Sequence, residues 1–349
     1  MKAFFRKYLL NFKKPGGTSR GILHQKETYF LIIRSGERMG VGECGLFRGL
    51  SVDDRPDYEQ KLHWLCDHIN DDKDWLYHEL YDFPSIQFGM EQAFLSLKAK
   101  KMFDLFPSEF SKGRDQISIN GLIWMGDISF MKEQIRNKLE SGFRTLKMKI
   151  GAIDFEAELH ILESIRKEYT SEELELRVDA NGAFSPEGVM DKLKQLSDFD
   201  IHSIEQPIRA GQWESITGLC RTSPVPIALD EELIGVFDTK LKRSLLETIR
   251  PQYIILKPSL VGGFQGSKEW IDLCDNLDIG WWVTSALESN IGLNAIAQFT
   301  YTLKNPMPQG LGTGGLYSNN IDSPLCIRRG ALYLDQELKW AKVSSFLGE

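Results

Sequence analysis

The chain has 349 residues and a mass of 39.9 kDa, with 42% hydrophobic and 26% charged residues, the make-up of an ordinary globular protein. Forty-two Lys and Arg against 49 Asp and Glu leave a net charge of −7, which argues against a dedicated nucleic-acid binder and against a polybasic membrane-surface protein. No run approaches the roughly 18 apolar residues of a membrane span. At roughly 100–200 residues per domain, the length suggests two domains or one large barrel with an addition.

The start, MKAFFRKYLLNFKKPGG, is basic and apolar. Arg6 and Lys7 interrupt its apolar run and no small-residue cleavage pattern follows, so it reads as a first strand rather than a signal peptide. A cytoplasmic protein is expected. The five cysteines (Cys44, Cys66, Cys220, Cys274 and Cys326) are widely spread and form no Cys-x-x-Cys pair, so neither a disulfide framework nor a thiolate zinc site is indicated.

Residues 1–110 read as a small α+β domain. The stretch TYFLIIRSGERMGVGECG (28–45) predicts a hairpin turning at Ser35 and Gly36. Helical patterns run from Asp57 to about Asn70 and from Ser85 to about Phe103, where Met90, Ala93, Phe94, Leu97 and Lys98 fall at helical spacing. Residues 111–115 form a polar joint. A second domain is expected over 111–325, and a final segment, 326–349, is expected to return to the first domain.

Beyond the joint, short apolar segments recur, each ending in a polar residue or glycine: Asn120, Lys149, Asp179, Glu205, Asp230, Lys257, Ser285 and Gly312. From Ile119 onward the gaps are 30, 30, 26, 25, 27, 28 and 27 residues. A strand, a helix and two short loops take about that many residues. The period predicts an α/β fold, a (β/α)8 barrel of eight strand–helix units behind an N-terminal α+β domain. In LKMKIG, Lys147 and Lys149 share one strand face, while Leu146, Met148 and Ile150 share the other. Polar residues are then expected to face the barrel interior and apolar ones the helices. Barrel active sites lie at the C-terminal strand ends.

Three carboxylates, Asp179, Glu205 and Asp230, end three consecutive predicted strands. Neighbouring strands lie about 4.8 Å apart, so the three can converge, and they would repel without a cation between them. An oxygen-only ligand set favours Mg²⁺. The competing reading is that each carboxylate caps a helix or pairs with a lysine. Lys147 and Lys149 flank the set on one side and Lys257 on the other. A lysine inside a barrel is costly unless paired, and beside a divalent cation its ammonium deprotonates more readily, so it can act as a base. Glu231 can hold a lysine in place or face solvent. Bases on both sides of a metal-held carboxylate suit proton abstraction next to that carboxylate.

Other signals carry less. The run from Gly310 to Gly315 matches GxGxxG, but Asn319, Asn320 and Pro324 break the chain where a helix should follow, so it is not a dinucleotide site. His63 and His68, with Cys66 between them, are five residues apart and do not share a helix face, so a metal site is not indicated. Trp281 and Trp282 read as packing. No G-x-S-x-G or P-loop is present.

The ordered set Lys-x-Lys (147–149), Asp-Ala-Asn-Gly (179–182), Glu-Gln-Pro (205–207), Asp-Glu (230–231) and Lys-Pro (257–258) resembles the enolase superfamily, and within it the muconate-cycloisomerase-like subgroup. Val41, Gly42 and Glu43 resemble a strand of that family's capping domain, so the resemblance spans essentially the whole chain. It implies a modified TIM barrel and Mg²⁺ on Asp179, Glu205 and Asp230, with Mn²⁺ as an alternative ion. The stretches SINGLIWMG, GFRTLKMKIG and TSALESNIGLNAIAQ are similar to the subgroup's dehydratases of menaquinone biosynthesis. That similarity implies syn elimination of water from a cyclohexadiene carboxylate. Lys149 would remove the proton and then protonate the departing hydroxyl, Lys257 would offset the charge that develops, and Lys147 would support the carboxylate. Ser285, Ser289, Gly312 and the loop residue Arg20 are the implied substrate contacts, with Asn181 and Glu231 in support. The implied partner is a small carboxylate, without nucleic acid or membrane; a homo-oligomer is left open.

Two rival readings stand. A dipeptide epimerase or N-acylamino acid racemase of the same subgroup would use both lysines, but epimerases carry Asp-x-Asp where this chain has Gly312-Thr313-Gly314. A catalytically dead barrel serving as a scaffold would not need an intact carboxylate triad with both lysines.

Overall fold

The computed structural model describes residues 1–18, 21–151 and 153–347. The chain opens with an antiparallel sheet in the order β1 (Lys2–Thr18), β2 (Gly21–Ser35) and β3 (Arg38–Cys44), with a register slip in β1 between Asn11 and Gly16. The hairpin turns at Ser35 and Gly36 as predicted, with Gly36 at φ +58°. Three helices follow: α1 (Tyr58–Asp67), α2 (Lys73–Glu79) and α3 (Pro84–Lys98). Two features differ from the pattern reading: α2 was not anticipated, and α3 stops at Lys98, where Ala99 turns extended.

The apolar run of β2 is continuous because both of its faces are covered. Tyr29, Leu31 and Ile33 pack with Leu62, Leu65, Ile86 and Met90 of α1 and α3. Phe30 and Ile32 pack on the other side with Ile291 and Phe346. The sheet lies so close to α3 that a Cβ built on Gly40 or Gly42 would stand about 2 Å from the Ala93 or Gly89 carbonyl oxygen, so only glycine fits there.

The second unit is a parallel barrel. Its strands are β5 (Gly121–Ile123), β6 (Thr145–Lys149), β7 (Glu175–Asp179), β8 (Ser203–Glu205), β9 (Ile227–Leu229), β10 (Tyr253–Leu256) and β11 (Gly280–Val283), hydrogen-bonded in chain order. Before them in the chain comes β4 (Ile117–Ser118). The helices α4 (Ile128–Glu140), α5 (Phe155–Glu168), α6 (Val189–Ser197), α7 (Trp213–Thr222), α8 (Thr239–Ile249), α9 (Gly263–Leu277) and α10 (Asn290–Thr302) follow β5 to β11 in turn. Single bridges, Ile119 to Gln309 and Thr284 to Gly310, close the circle.

The eighth unit departs from the expected strand–helix repeat. Its strand is reduced to those bridges, and no helix follows among the described residues. The glycines at 310, 312, 314 and 315 and the breakers Asn319, Asn320 and Pro324 supply no apolar face for one. Instead β12 (Leu325–Arg328) and β13 (Ala331–Leu334) form a hairpin that pairs with β4. The tail then sets Trp340 against Phe103 and Phe346 against Phe30, and ends in α11 (Ser344–Leu347).

Alternation on the barrel strands matches the pattern reading. Leu146, Met148 and Ile150 enter the core shared with the helices. Trp282 lies inside the barrel, where the Arg177 guanidinium stands 4.3 Å from its ring centre and the Tyr253 and His202 rings lie nearby. Among the described residues, no helix is long and apolar enough to cross a membrane.

Candidate active site

Strand register places the chemistry. Lys149 on β6 pairs with Asp179 on β7, and Asp179 pairs with Glu205 on β8. Asp230 directly follows β9, and Lys257 directly follows β10. The strand ends therefore bring three buried carboxylates to the barrel mouth, with lysines on both sides.

The lysines neutralise the carboxylates directly. Lys147 Nζ donates to Glu205 and lies 2.8 Å from Asp179 Oδ2. Lys149 Nζ lies 2.7 Å from the same Asp179 oxygen and donates to Asn181 Oδ1 at 2.5 Å. Lys257 Nζ donates to Asp230 across the ring. Asn181 takes a left-handed conformation (φ +45°), and its Nδ2 donates to Glu231 Oε1 at 3.0 Å. Asn181 thus ties Lys149 to Glu231, an arrangement that suits a short amide side chain at positive φ.

Charge states follow from these contacts. Burial alone would raise the Asp179 carboxyl, but Lys147 and Lys149 outweigh it and hold the group well below its usual range. The same contest lowers Asp230, through Lys257. Glu205 goes the other way, because burial and then the neighbouring Asp179 charge push it well above the usual carboxylate range. Burial disfavours the Lys147 and Lys257 ammoniums, yet the facing carboxylates keep both above the ordinary lysine value.

The donor set is all oxygen, which fits a hard divalent cation. Glu205 Oε1 is buried without a hydrogen-bond partner, so one ligand atom is uncommitted. With the lysine ammoniums seated on the carboxylates, no ready-made cluster of three acidic, His or Cys ligands exists among the described residues. A cation held here would take over the neutralising role of Lys147 and Lys257.

The cleft above this floor has a free volume of about 90 Å³ and opens to solvent. Lys147, Lys149, Lys257, Asn181 and Glu231 line its charged side. Phe47 and Leu50 from the capping domain, with Leu122, Trp124 and Leu287 from the barrel, line an apolar side. Such a cleft suits a small molecule with one anionic end and one apolar face.

The substrate-contact residues fare unevenly. Gly312 and Ser285 line the cleft. Ser289 does not. Its hydroxyl donates to Glu43 Oε2 at 2.5 Å and caps α10 by accepting from the Ile291 amide, the helix-capping use open to any serine at such a position. Arg20 lies outside the described residues.

Other participants escaped the pattern reading. Gln206, at φ +38°, accepts at Oε1 from the Asp230 and Glu232 amides and so holds the Asp230 turn against β8. The Glu-Gln-Pro run contained that signal. Asn120 and Thr313 line the cleft, and Asn120 Oδ1 is buried without a partner. Glu43 left no local signature because its barrel partners Ser289 and Gly292 are remote in sequence, whereas Glu288 binds Ser285 three residues before it, a Ser-x-x-Glu spacing the pattern reading did not use.

Residues 130–337 match the family of enolase C-terminal domain-like proteins. An o-succinylbenzoate synthase of Desulfotalea psychrophila strain LSv54 is 44% identical over an alignment covering 95% of this chain and 98% of that one. The chain belongs to the enolase superfamily. Among solved members of the superfamily, the crystal structure of MenC from D. psychrophila LSv54 superposes with a TM-score of 0.85 at 41% identity, covering 95% of this chain and 99% of the other. A more distant relative, the L-Ala-D/L-Glu epimerase of Bacillus subtilis strain 168, is 25% identical over 55% of this chain and 52% of its own. The match agrees with a modified TIM barrel behind an N-terminal capping domain.

Proposed function

We propose that this chain is a hydro-lyase of menaquinone biosynthesis that dehydrates 2-succinyl-6-hydroxy-2,4-cyclohexadiene-1-carboxylate to o-succinylbenzoate. The observation that carries the reading is the placement of Lys149 and Lys257 on opposite sides of three buried carboxylates at one barrel mouth. The 44% identical synthase supports the choice of substrate. The apolar wall of Phe47, Leu50 and Trp124 suits the ring.

Lys149, once its proton has gone, takes the hydrogen from the ring carbon that bears the carboxylate. The electron pair left behind expels the ring hydroxyl, and the same Lys149 ammonium returns the proton to it, so one water leaves on one face and the ring becomes aromatic. Lys257 keeps its positive charge across the ring and offsets the negative charge of the intermediate. Lys147 stands beside Asp179 and Glu205 at the carboxylate end. Asn181 and Glu231 hold Lys149 in line. Asp179, Glu205 and Asp230 are the residues that would hold Mg²⁺, or Mn²⁺ in its place, which when bound supplies positive charge to the substrate carboxylate.

Gly312 and Ser285 are the nearest wall for the succinyl tail, and Arg20 is its further proposed contact. In this reading the capping domain spans 1–110, the barrel 111–325, and 326–349 is the return segment. The protein is cytoplasmic and takes neither nucleic acid nor membrane as a partner; sedimentation decides between a monomer and a homo-oligomer.

A spectrophotometric assay following the loss of diene absorbance with Mg²⁺, against an EDTA control, tests the proposal. Fast loss that EDTA stops supports dehydratase and metal together. No loss with either Mg²⁺ or Mn²⁺ overturns it. Attention then passes to α-proton exchange in dipeptides and N-acyl amino acids, a reaction that two opposed lysines also suit.

A further inference from the structure

Below the mouth, one carboxylate joins three loops of the site. Glu288 lies between β11 and α10 and is wholly buried. Its Oε1 accepts from Ser259 Oγ at 2.5 Å, and its Oε2 accepts from Ser285 Oγ at 2.7 Å. Ser259 sits two residues after Lys257, in the single turn Pro258–Leu260 that follows β10. Ser285 lines the cleft, and its oxygen accepts from Thr313 Oγ1 at 2.9 Å and from the Leu287 amide at 3.0 Å. The ends of β10, β11 and the eighth strand are thus tied through one side chain.

These bonds run one way: the Ser259 and Ser285 hydroxyls donate to the Glu288 carboxylate, and the Thr313 hydroxyl donates to Ser285. The cleft hydroxyls are therefore committed to the interior, and their orientation depends on Glu288. The Lys26 amine from β2 is buried facing Glu43 and Glu288, with no hydrogen-bond partner among the described residues; burial lowers its pKa, and the two carboxylates work against that shift. Close packing holds Glu288 in place: a Cβ on Gly45 would come within 3.0 Å of its Cγ.

We infer that Glu288 is a positioning residue for the dehydration, holding the Lys257 turn and the Ser285–Thr313 wall in register without touching substrate. The inference rests on the proposed function and extends it to a residue outside the cleft.

Glu288→Gln keeps the shape but presents an NH₂ to one serine, so one hydroxyl must reverse. With the protein folded by circular dichroism, kcat/KM for the diene is expected to fall about tenfold to a hundredfold, the scale of a small misplacement at a reacting centre. Ser259→Ala is expected to lower kcat about threefold to tenfold with KM within about twofold, because only the Lys257 turn is released. Ser285→Ala is expected to act mainly on KM. A purely structural role would lower the melting temperature without this split. Because Glu288 acts through Ser285, the double variant E288Q/S285A should be no slower than E288Q.

Folded E288Q with wild-type kcat and KM overturns the inference, as do E288Q and S285A losses that multiply. If E288Q fails to fold, a wild-type kcat in S259A overturns it instead. A wild-type enzyme that leaves the diene untouched overturns the functional reading and this inference with it, so the two failures are told apart by the wild-type lane.

Discussion

Buried carboxylates at the barrel mouth and at the seam between capping domain and barrel are satisfied by opposite means. At the barrel mouth, Asp179, Glu205 and Asp230 are met by the flexible ammoniums of Lys147, Lys149 and Lys257, and Glu205 Oε1 has no partner. At the seam between capping domain and barrel, Glu43 accepts four hydrogen bonds, from the Thr28 and Ser289 hydroxyls and the Ser289 and Gly292 amides, at 2.5–2.9 Å. Fixed neutral donors make a cluster that need not change during turnover. Long cationic side chains make one that can exchange partners, release a proton or give way to a cation. Burial alone does not separate the acids of the mouth from those of the seam; the nature of their partners does.

The sharpest test of the mouth is Lys149→Ala. Turnover is expected to fall about 10³-fold or more, in the upper range of general acid–base catalysis, with the circular dichroism spectrum unchanged. A wild-type rate in that variant would remove Lys149 as the base. Asp179→Asn is next, and calorimetry should show divalent-ion affinity reduced by about a hundredfold, since loss of even an outer-shell partner costs about 10–100-fold. Unchanged affinity would break the proposed triad.

Breaking the seam should do the reverse. Glu43→Ala strands buried amides and hydroxyls, at about 1–3 kcal/mol for each unmade bond to a buried group. Denaturant unfolding should show a loss of about 3 kcal/mol, while the ion affinity of the folded protein stays within about twofold. A loss of ion binding as large as that of Asp179→Asn would erase the distinction between the clusters.

A second seam carboxylate gives the smallest effect. Glu91 on α3 accepts from the Phe264 and Gln265 amides at the start of α9, at 2.5 and 3.0 Å. Burial nevertheless pushes its pKa up to about 8, from 4.5. The folded protein therefore holds a proton that the unfolded chain has already lost, and this contribution to stability declines as pH rises from about 4.5 to about 8. The side chain is only partly enclosed, so the decline is expected to be about 2 kcal/mol. Glu91→Gln should flatten that part of the stability profile, and an unchanged slope would remove Glu91 as its source.

Much of the mouth was legible along the chain because a barrel strand delivers its last residues to a known face. The 25–30-residue spacing of polar strand ends, and the alternation in LKMKIG, need only the geometry of single strands and single connections. The hairpin at Ser35 and Gly36 was readable for the same local reason. The missing eighth helix was half-visible in the glycines and breakers after Gly310. Ser289 shows the limit: its place in a run similar to a substrate loop suggested the cleft, and a carboxylate 246 residues away in sequence claims its hydroxyl instead.

The sequence by itself determined which residues stand at the strand ends and therefore which acids and lysines share the barrel mouth. Tertiary structure alone decided how those groups pair, that Asn181 bridges Lys149 to Glu231, and that Glu43 and Glu288 anchor the seam beneath them. The reason is one of range: strand periodicity is set by covalent geometry within a few residues, whereas a hydrogen bond between remote segments exists only once packing has brought donor and acceptor within about 3 Å and aligned them.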